Sequence, residues 1–404
     1  MANTLLTPTA ITRKALDVLH SKLSFIAAID KQHDNKHTFG GQKDGGSIQI
    51  RKPPQYTVRE GAVIDVQNAT ETYTTLTVDK QRGVDLSFTS KELTLDIDDF
   101  SARFIEPAMS RLASYMDADA FSMFKSIYNS AGTAGTTPNT ALAYLQAGEK
   151  LDHSLAPRDG NRCMIIDPAA QASTVDALKG LFHSGGDISK QYMSGQMGNN
   201  ILGFDKWAMS QIVPSITTGT RVGTVLVDGT SVEASSVIHM DGFTNATDTV
   251  SEGETFTVAG VYAVNTETKE TLGHLQEFVV TADFTAASNE GDVSVSPALI
   301  ASSTNPGQTI SALPTNEAAI TWLNTTASTS YRQNLGFHKS AFTFATANLE
   351  IPSGVDFASR NVLDGISMRI VRAFDITNDA FPCRIDVLYG FVAQRPELAC
   401  RLQG

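Results

Sequence analysis

The sequence predicts an α+β protein, and three observations carry that prediction. Helical and strand signals come in mixed order, with strands returning from residue 335 onward after a long separation. Ile105, Ala108, Leu112, Met116, Ala120, Met123 and Ile127 recur at spacings of three and four, a continuous apolar helical stripe. Residues 221–330 show alternating apolar positions and no helical stretch.

The elements follow in chain order. Leu16, Leu19, Leu23 and Ile26 share one helical face, so residues 11–29 are expected to form one amphipathic helix. Residues 1–60 hold nine Lys/Arg against five Asp/Glu, too dispersed for a nucleic-acid footprint. After a glycine-rich stretch, "SIQIRKPPQYTVRE" and "ETYTTLTVDKQRGVDLSFTS" read as strands: Ile48 and Ile50 alternate with polar residues, as do Val84, Leu86 and Phe88. Pro53 and Pro54 exclude a central strand there. The expected form is a long two-stranded excursion with a polar tip, which must lie on something because an isolated hairpin is marginal in water.

The strongest helical signal spans roughly 99–129, with Asp96, Asp98 and Asp99 complementing the dipole at its start and Pro107 in the first turn of the main helix, after a short helix or kink. Beyond it come a helix at "NTALAYLQAGEKLDHSL", a buried strand at "NRCMIIDP", a helix at "AAQASTVDALKGLF" and a glycine-rich loop at 183–204. The closing strands are "AFTFATANL", "ISMRIVRAFDI" and "RIDVLYGFVA". The last is apolar on both faces and should complete a core, leaving Arg395, Pro396 and Glu397 on a stiff turn at its exit.

Composition bounds the function. Four hundred and four residues imply about two to three domains. No apolar run is long enough for a membrane span, and the N-terminus reads as mature sequence rather than a secretory signal. Three cysteines at unrelated spacings fit reduced thiols. Of the net charge of −12, residues 221–330 carry −11, with Arg221 and Lys269 as their only bases against thirteen acids. That break marks a separate folding unit, a small acidic β-barrel or sandwich that disfavours nucleic acid.

No chemistry emerges. His33 and His37 lack a third ligand at recognisable spacing, and the glycine runs lack the Gly-Lys-Ser/Thr ending of a phosphate cradle. The acids of "LDIDDF" are explained by the helix start. No nucleophile elbow, zinc motif or Cys-x-x-Cys is present. No catalytic, cofactor-binding or metal-ligating set is expected, and the protein reads as a non-enzyme.

The order of these elements, with "GETFTVAGVYAVN" (253–265), "NLGFHKSAFTFATANL" (334–349) and "LYGFVAQRPE" (388–397), resembles the major capsid proteins of tailed bacteriophages. The likeness covers essentially the whole chain and is to the short-tailed-phage coat type with an inserted β-barrel. It implies the capsid-floor fold shared with herpesviruses: an N-terminal arm at 1–37, an extended β-loop at 38–90 lying on a neighbour, a spine helix at 91–130, peripheral and axial domains at 131–220 and 331–404, and an insertion domain at 221–330. It further implies self-assembly into hexamers and pentamers of an icosahedral head enclosing double-stranded DNA without sequence-specific binding. Scaffolding and portal proteins would be partners, with assembly in the host cytoplasm and residence in the virion, without membrane or cofactor. Arg51, Lys52, Arg59, Glu60, Arg395 and Glu397 are the expected inter-subunit contacts. A bacterial nanocompartment shell of the same fold and a tail or host-adhesion protein are the alternatives.

Overall fold

The computed structural model describes residues 8–31, 47–56, 58, 61–64, 66, 71–89, 105–178, 194, 195 and 197–404. His33, His37, Asp96, Asp98 and Asp99 lie outside them. Two compact units emerge, one from residues 1–50, 73–121 and 342–394, the other from 51–72, 122–341 and 395–404. Among the described residues no helix is long and apolar enough to cross a membrane.

The first unit is a helical layer on a five-stranded antiparallel sheet. The strand Ala380–Ala393 pairs with Lys80–Thr89, Ile366–Arg372 and Phe342–Ala347, and Phe357–Leu363 completes the order. At 14 residues it is long enough to serve three neighbours. The N-terminal helix Pro8–Lys22 buries Leu16 and Leu19. It stops at Leu23 and restarts as Phe25–Ala28, so the single helix expected over 11–29 is two.

Asp117 explains the break. Fully buried, its carboxylate accepts the N–H groups of Ser24 at 2.6 Å, Phe25 at 3.2 Å and Ile26 at 3.0 Å, and the Ser24 hydroxyl at 2.8 Å. Those donors start a helix and have no partners within it. Burial pushes this carboxyl up, while the four donors oppose the shift. Asp117→Ala should cost about 2 kcal/mol through the donors left unpaired, read as a lower denaturation midpoint. Unchanged stability would mean that another group holds this helix start.

The spine helix runs Glu106–Phe121, about 24 Å at 1.5 Å per residue, and tightens into a 3-10 turn at Ser122–Ser126. Every residue of the predicted stripe from Ile105 to Ile127 is buried. Phe25 stacks on Phe121 with centroids 4.3 Å apart and meets the edge of Phe342 at 5.4 Å. Tyr389 stacks on Phe344 and its hydroxyl donates a hydrogen bond to Asp119 Oδ2 at 2.8 Å. Lys80 pairs with the same carboxylate at 3.0 Å and lies over the Phe391 ring. The piece 71–90, expected as one strand, breaks after Thr77: Tyr73–Thr77 joins a two-stranded sheet with Ser47–Arg51, and Lys80–Thr89 joins the five-stranded sheet.

Besides a short two-stranded sheet, Thr249–Val250 with Phe284–Thr285, the second unit holds two large sheets. In one, Ser130–Ala131, Ala399–Gln403, Ser330–His338, Arg162–Ile166 and Lys206–Met209 lie in that order, with Ser215–Thr217 on the far end of Ser330–His338. The helix Ala141–His153 packs on it. The other sheet has the order Ile320–Trp322, Thr255–Val264, Thr271–Val280, Gly291–Leu299, Ser235–Phe243 and Gly223–Val227. Its two edges meet: Val227 donates to the Ala318 carbonyl at 3.0 Å, and Glu317 donates to the Val227 carbonyl at 2.8 Å. The six strands enclose a core of Val225, Ile238, Met240, Phe256, Phe278 and Val293, among others. The bonds at Val227 occupy backbone groups at the edge of the sheet that would otherwise be open to another strand.

Candidate functional site

The strand Ala380–Ala393 stops short of Pro396, which has no N–H to offer a strand ladder. A 3-10 turn at Pro396–Leu398 follows, tied by the Arg395 N–H to the Ala341 carbonyl at 3.0 Å. Arg395 Nε donates to Glu397 Oε1 at 3.1 Å, with both side chains about one-third exposed. The Glu397 carbonyl accepts the Asn129 amide, which anchors the turn from below.

Arg395 and Glu397 border a cleft of about 600 Å³ that is also lined by Lys52, Pro53, Pro54 and Pro306. Two expected contact groups far apart in sequence therefore share one concave surface. Lys52 is placed there by its own N–H, which donates to the Thr72 carbonyl at 2.7 Å where the two-stranded excursion opens. Arg51 is absent from the cleft and pairs with Glu71 at 2.9 Å, well exposed to solvent. Such a pair is worth little to stability. Arg59 and Glu60 lie outside the described residues.

The tip of the excursion corrects the sequence reading. A polar tip was expected, but Val58, Val63 and Ile64 are 94%, 82% and 79% exposed, and Tyr56 and Val66 are exposed as well. Branched aliphatic side chains this exposed are of the kind that interaction surfaces carry. "YTVREGAVIDV" held that signal, and attention to its charges hid it.

Beside the cleft, buried charges tie the closed sheet to its neighbour. Glu277, on the strand Thr271–Val280, accepts the Ser130 N–H at 2.6 Å and the Lys150 ammonium at 2.9 Å. Burial pushes its carboxyl up, and the two donors oppose this. Arg401 is fully buried, donates to the Gly253 carbonyl at 2.6 Å and lies over the Phe124 ring. Desolvation draws its guanidinium down to about 10. These groups resist sliding, because a slip would strand a charge in apolar surroundings.

Burial pushes the Cys163 thiol up to about 12 and raises Cys383 and Cys400 as well, so none carries an activated thiolate. His338 does lie between Asp159 at 3.0 Å and Ser340 at 2.7 Å. The Ser340 N–H also points at the same ring nitrogen, so this set closes a local turn rather than poising a nucleophile.

The model of the family described as "P22 coat protein - gene protein 5" matches residues 13–404. No curated protein sequence matches the chain. Among solved structures, one from Mycobacterium phage Che8 is 11% identical, covering 94% of this chain and 90% of that one with a TM-score of 0.46. The capsid structure of the cyanophage P-SCSP1u is 12% identical, covering 90% of this chain and 85% of that one with a TM-score of 0.45. The CUS-3 coat protein I-domain is 24% identical, covering 26% of this chain and 98% of that one with a TM-score of 0.20.

Proposed function

This chain belongs to the P22 coat protein family and is a structural capsid protein of a phage virion, and on that premise we propose that its copies assemble into hexamers and pentamers of an icosahedral head enclosing double-stranded DNA. The observation that carries the reading is the excursion at residues 51–72, whose aliphatic tip is exposed on the isolated chain. A protein whose principal ligand is another copy of itself presents such a surface. On this reading, residues 38–90 lie across a neighbour, and the cleft at Lys52, Arg395 and Glu397 receives part of an adjoining subunit. Residues 221–330 act as an insertion domain whose acidity keeps the shell from gripping its cargo. Scaffolding and portal proteins would guide closure in the host cytoplasm.

The test is electron microscopy of the purified chain co-expressed with a scaffolding protein. Closed shells support the proposal, and persistent monomers or trimers overturn it. Shells packed with an enzyme rather than DNA in infected cells would favour a nanocompartment.

Val63→Asp combined with Ile64→Asp should cut the assembled fraction at least roughly tenfold, because each aliphatic side chain contributes about 1.5–3 kcal/mol when covered. Subunit folding should be unchanged, since neither residue is buried in the chain. Arg59→Ala with Glu60→Ala should impair assembly in the same selective way. Normal shells from both double variants would remove the excursion from the interface.

A further inference from the structure

Three neighbouring strands of the closed sheet bring chemistry to one spot. Ile238 and Met240 face the apolar core, so His239 between them faces away from it. Val227 and Val293 are core residues too, which turns Asp228 and Asp292 to the same side as His239. The backbone locks the set. Asp228 N–H donates to the His239 carbonyl at 3.0 Å, and Asp292 is the register partner of His239. Glu290 sits in a tight turn closed on Ala287, with Ser288 and Asn289 at positive φ.

One ligand atom each from Asp228, His239 and Glu290 falls within 4.8 Å of the others. His239 Nε2 is 3.6 Å from Asp228 Oδ2, and Nδ1 is held by Asp292 Oδ1 at 2.7 Å. A ring that donates Nδ1–H to Asp292 leaves its lone pair on Nε2, the nitrogen 3.6 Å from Asp228, and that is the tautomer in which imidazole ligates metals. Charge supplies an independent argument. The only bases in residues 221–330 are committed elsewhere, Arg221 to Glu254 and Lys269 to the Pro306 carbonyl. Three carboxylates thus surround one imidazole with no Lys or Arg of this segment to balance them.

We propose that Asp228, His239 and Glu290 form a binding site for a first-row divalent transition cation, with Asp292 positioning the imidazole. One nitrogen and two carboxylate oxygens, without thiolate, suit zinc or manganese better than the all-oxygen shells of calcium or magnesium. Metal–ligand bonds of about 2.0–2.2 Å require the donor atoms to draw closer. Asp228 and Glu290 have exposure enough to rotate, while the strands stay fixed. A cation here would cross-link three strands and stabilise the sheet without altering its core. A proton and a metal compete for the same ring nitrogen, so affinity falls in acid.

The experiment is calorimetric titration of the full-length chain with zinc at neutral pH, alongside its thermal unfolding with and without the ion. One saturable equivalent is expected, together with a higher unfolding midpoint in zinc. His239→Ala should abolish both effects, and Glu290→Gln, an exposed change that leaves the backbone untouched, should weaken binding. Asp292→Asn should weaken binding about 10–100-fold by releasing the ring, whereas His274→Ala should leave the equivalent in place. Absence of a saturable equivalent up to millimolar zinc overturns the proposal, as does an equivalent that survives in His239→Ala or is lost in His274→Ala.

Discussion

Glu254→Ala is expected to lower the stability of the closed-sheet region by about 3–5 kcal/mol, the cost of leaving one partner of a buried ion pair alone. Glu254 is completely buried and Arg221 is 4% exposed, with Oε2 and Nη1 2.6 Å apart. The other oxygen accepts the N–H groups of Gly219 at 2.7 Å and Ser251 at 2.8 Å. Arg221 lies over the Trp322 ring at 4.3 Å and donates to the Asn324 carbonyl. The pair sits where the chain enters and leaves the six strands, at 219–221 and 322–324. Burial draws the Arg221 guanidinium down and pushes the Glu254 carboxyl up, and their attraction opposes both shifts.

Truncating Glu254 leaves a guanidinium in apolar surroundings and two amide donors unpaired. Trp322 fluorescence in a Trp207→Phe background reports the transition locally during urea unfolding. Adding Arg221→Met to Glu254→Leu should recover part of the loss, since removing both charges removes the uncompensated one. A Glu254→Ala midpoint equal to that of the parent would show that the pair contributes nothing.

Gly390→Ala should destabilise the first unit by about 3 kcal/mol or more, at the upper end of what overpacking costs. A Cβ at this position would stand 1.9 Å from the Thr77 carbonyl oxygen and 2.9 Å from the Val78 Cα. Both obstructing atoms are backbone, so no rotamer change relieves the clash, and the long strand Ala380–Ala393 would have to part from Tyr73–Thr77. Gly354→Ala is the comparison: its φ of 86° strains any L residue, but nothing lies within 4 Å. It should cost only about 1–2 kcal/mol. Equal stabilities for the two variants would rule out the close approach at Gly390. A soluble, fully stable Gly390→Ala would do the same.

Much of this was visible in the pattern of residues. The stripe from Ile105 to Ile127 predicted a buried helix, because apolar spacing of three and four needs only local geometry. The helix Ala141–His153 and the strands Arg162–Ile166 and Phe342–Ala347 followed for the same reason. Lys52, Arg395 and Glu397 were identified singly as contact candidates, but nothing local indicated that they share one cleft. The exposed aliphatic tip was legible and misread, since Val63 and Ile64 look like core residues until a backbone shows that they have no core to enter.

What the sequence by itself determined is the class of the fold, the kind of structure each periodic segment adopts, the acidic break at 221–330 and membership of a coat protein family. Those depend on neighbours within a few residues, or on the order of segments along the chain. Only the tertiary structure decided which charges are buried. Asp117, Glu254, Glu277 and Arg401 look like ordinary surface charges in the sequence, and Asp117 caps a helix more than ninety residues away while Glu277 holds Ser130 across 147 residues. A charge enters a core only where donors or counter-charges already converge, and chain folding rather than spacing brings them together. The same holds for Gly390, whose lack of a side chain matters only because the carbonyl of Thr77 arrives beside it.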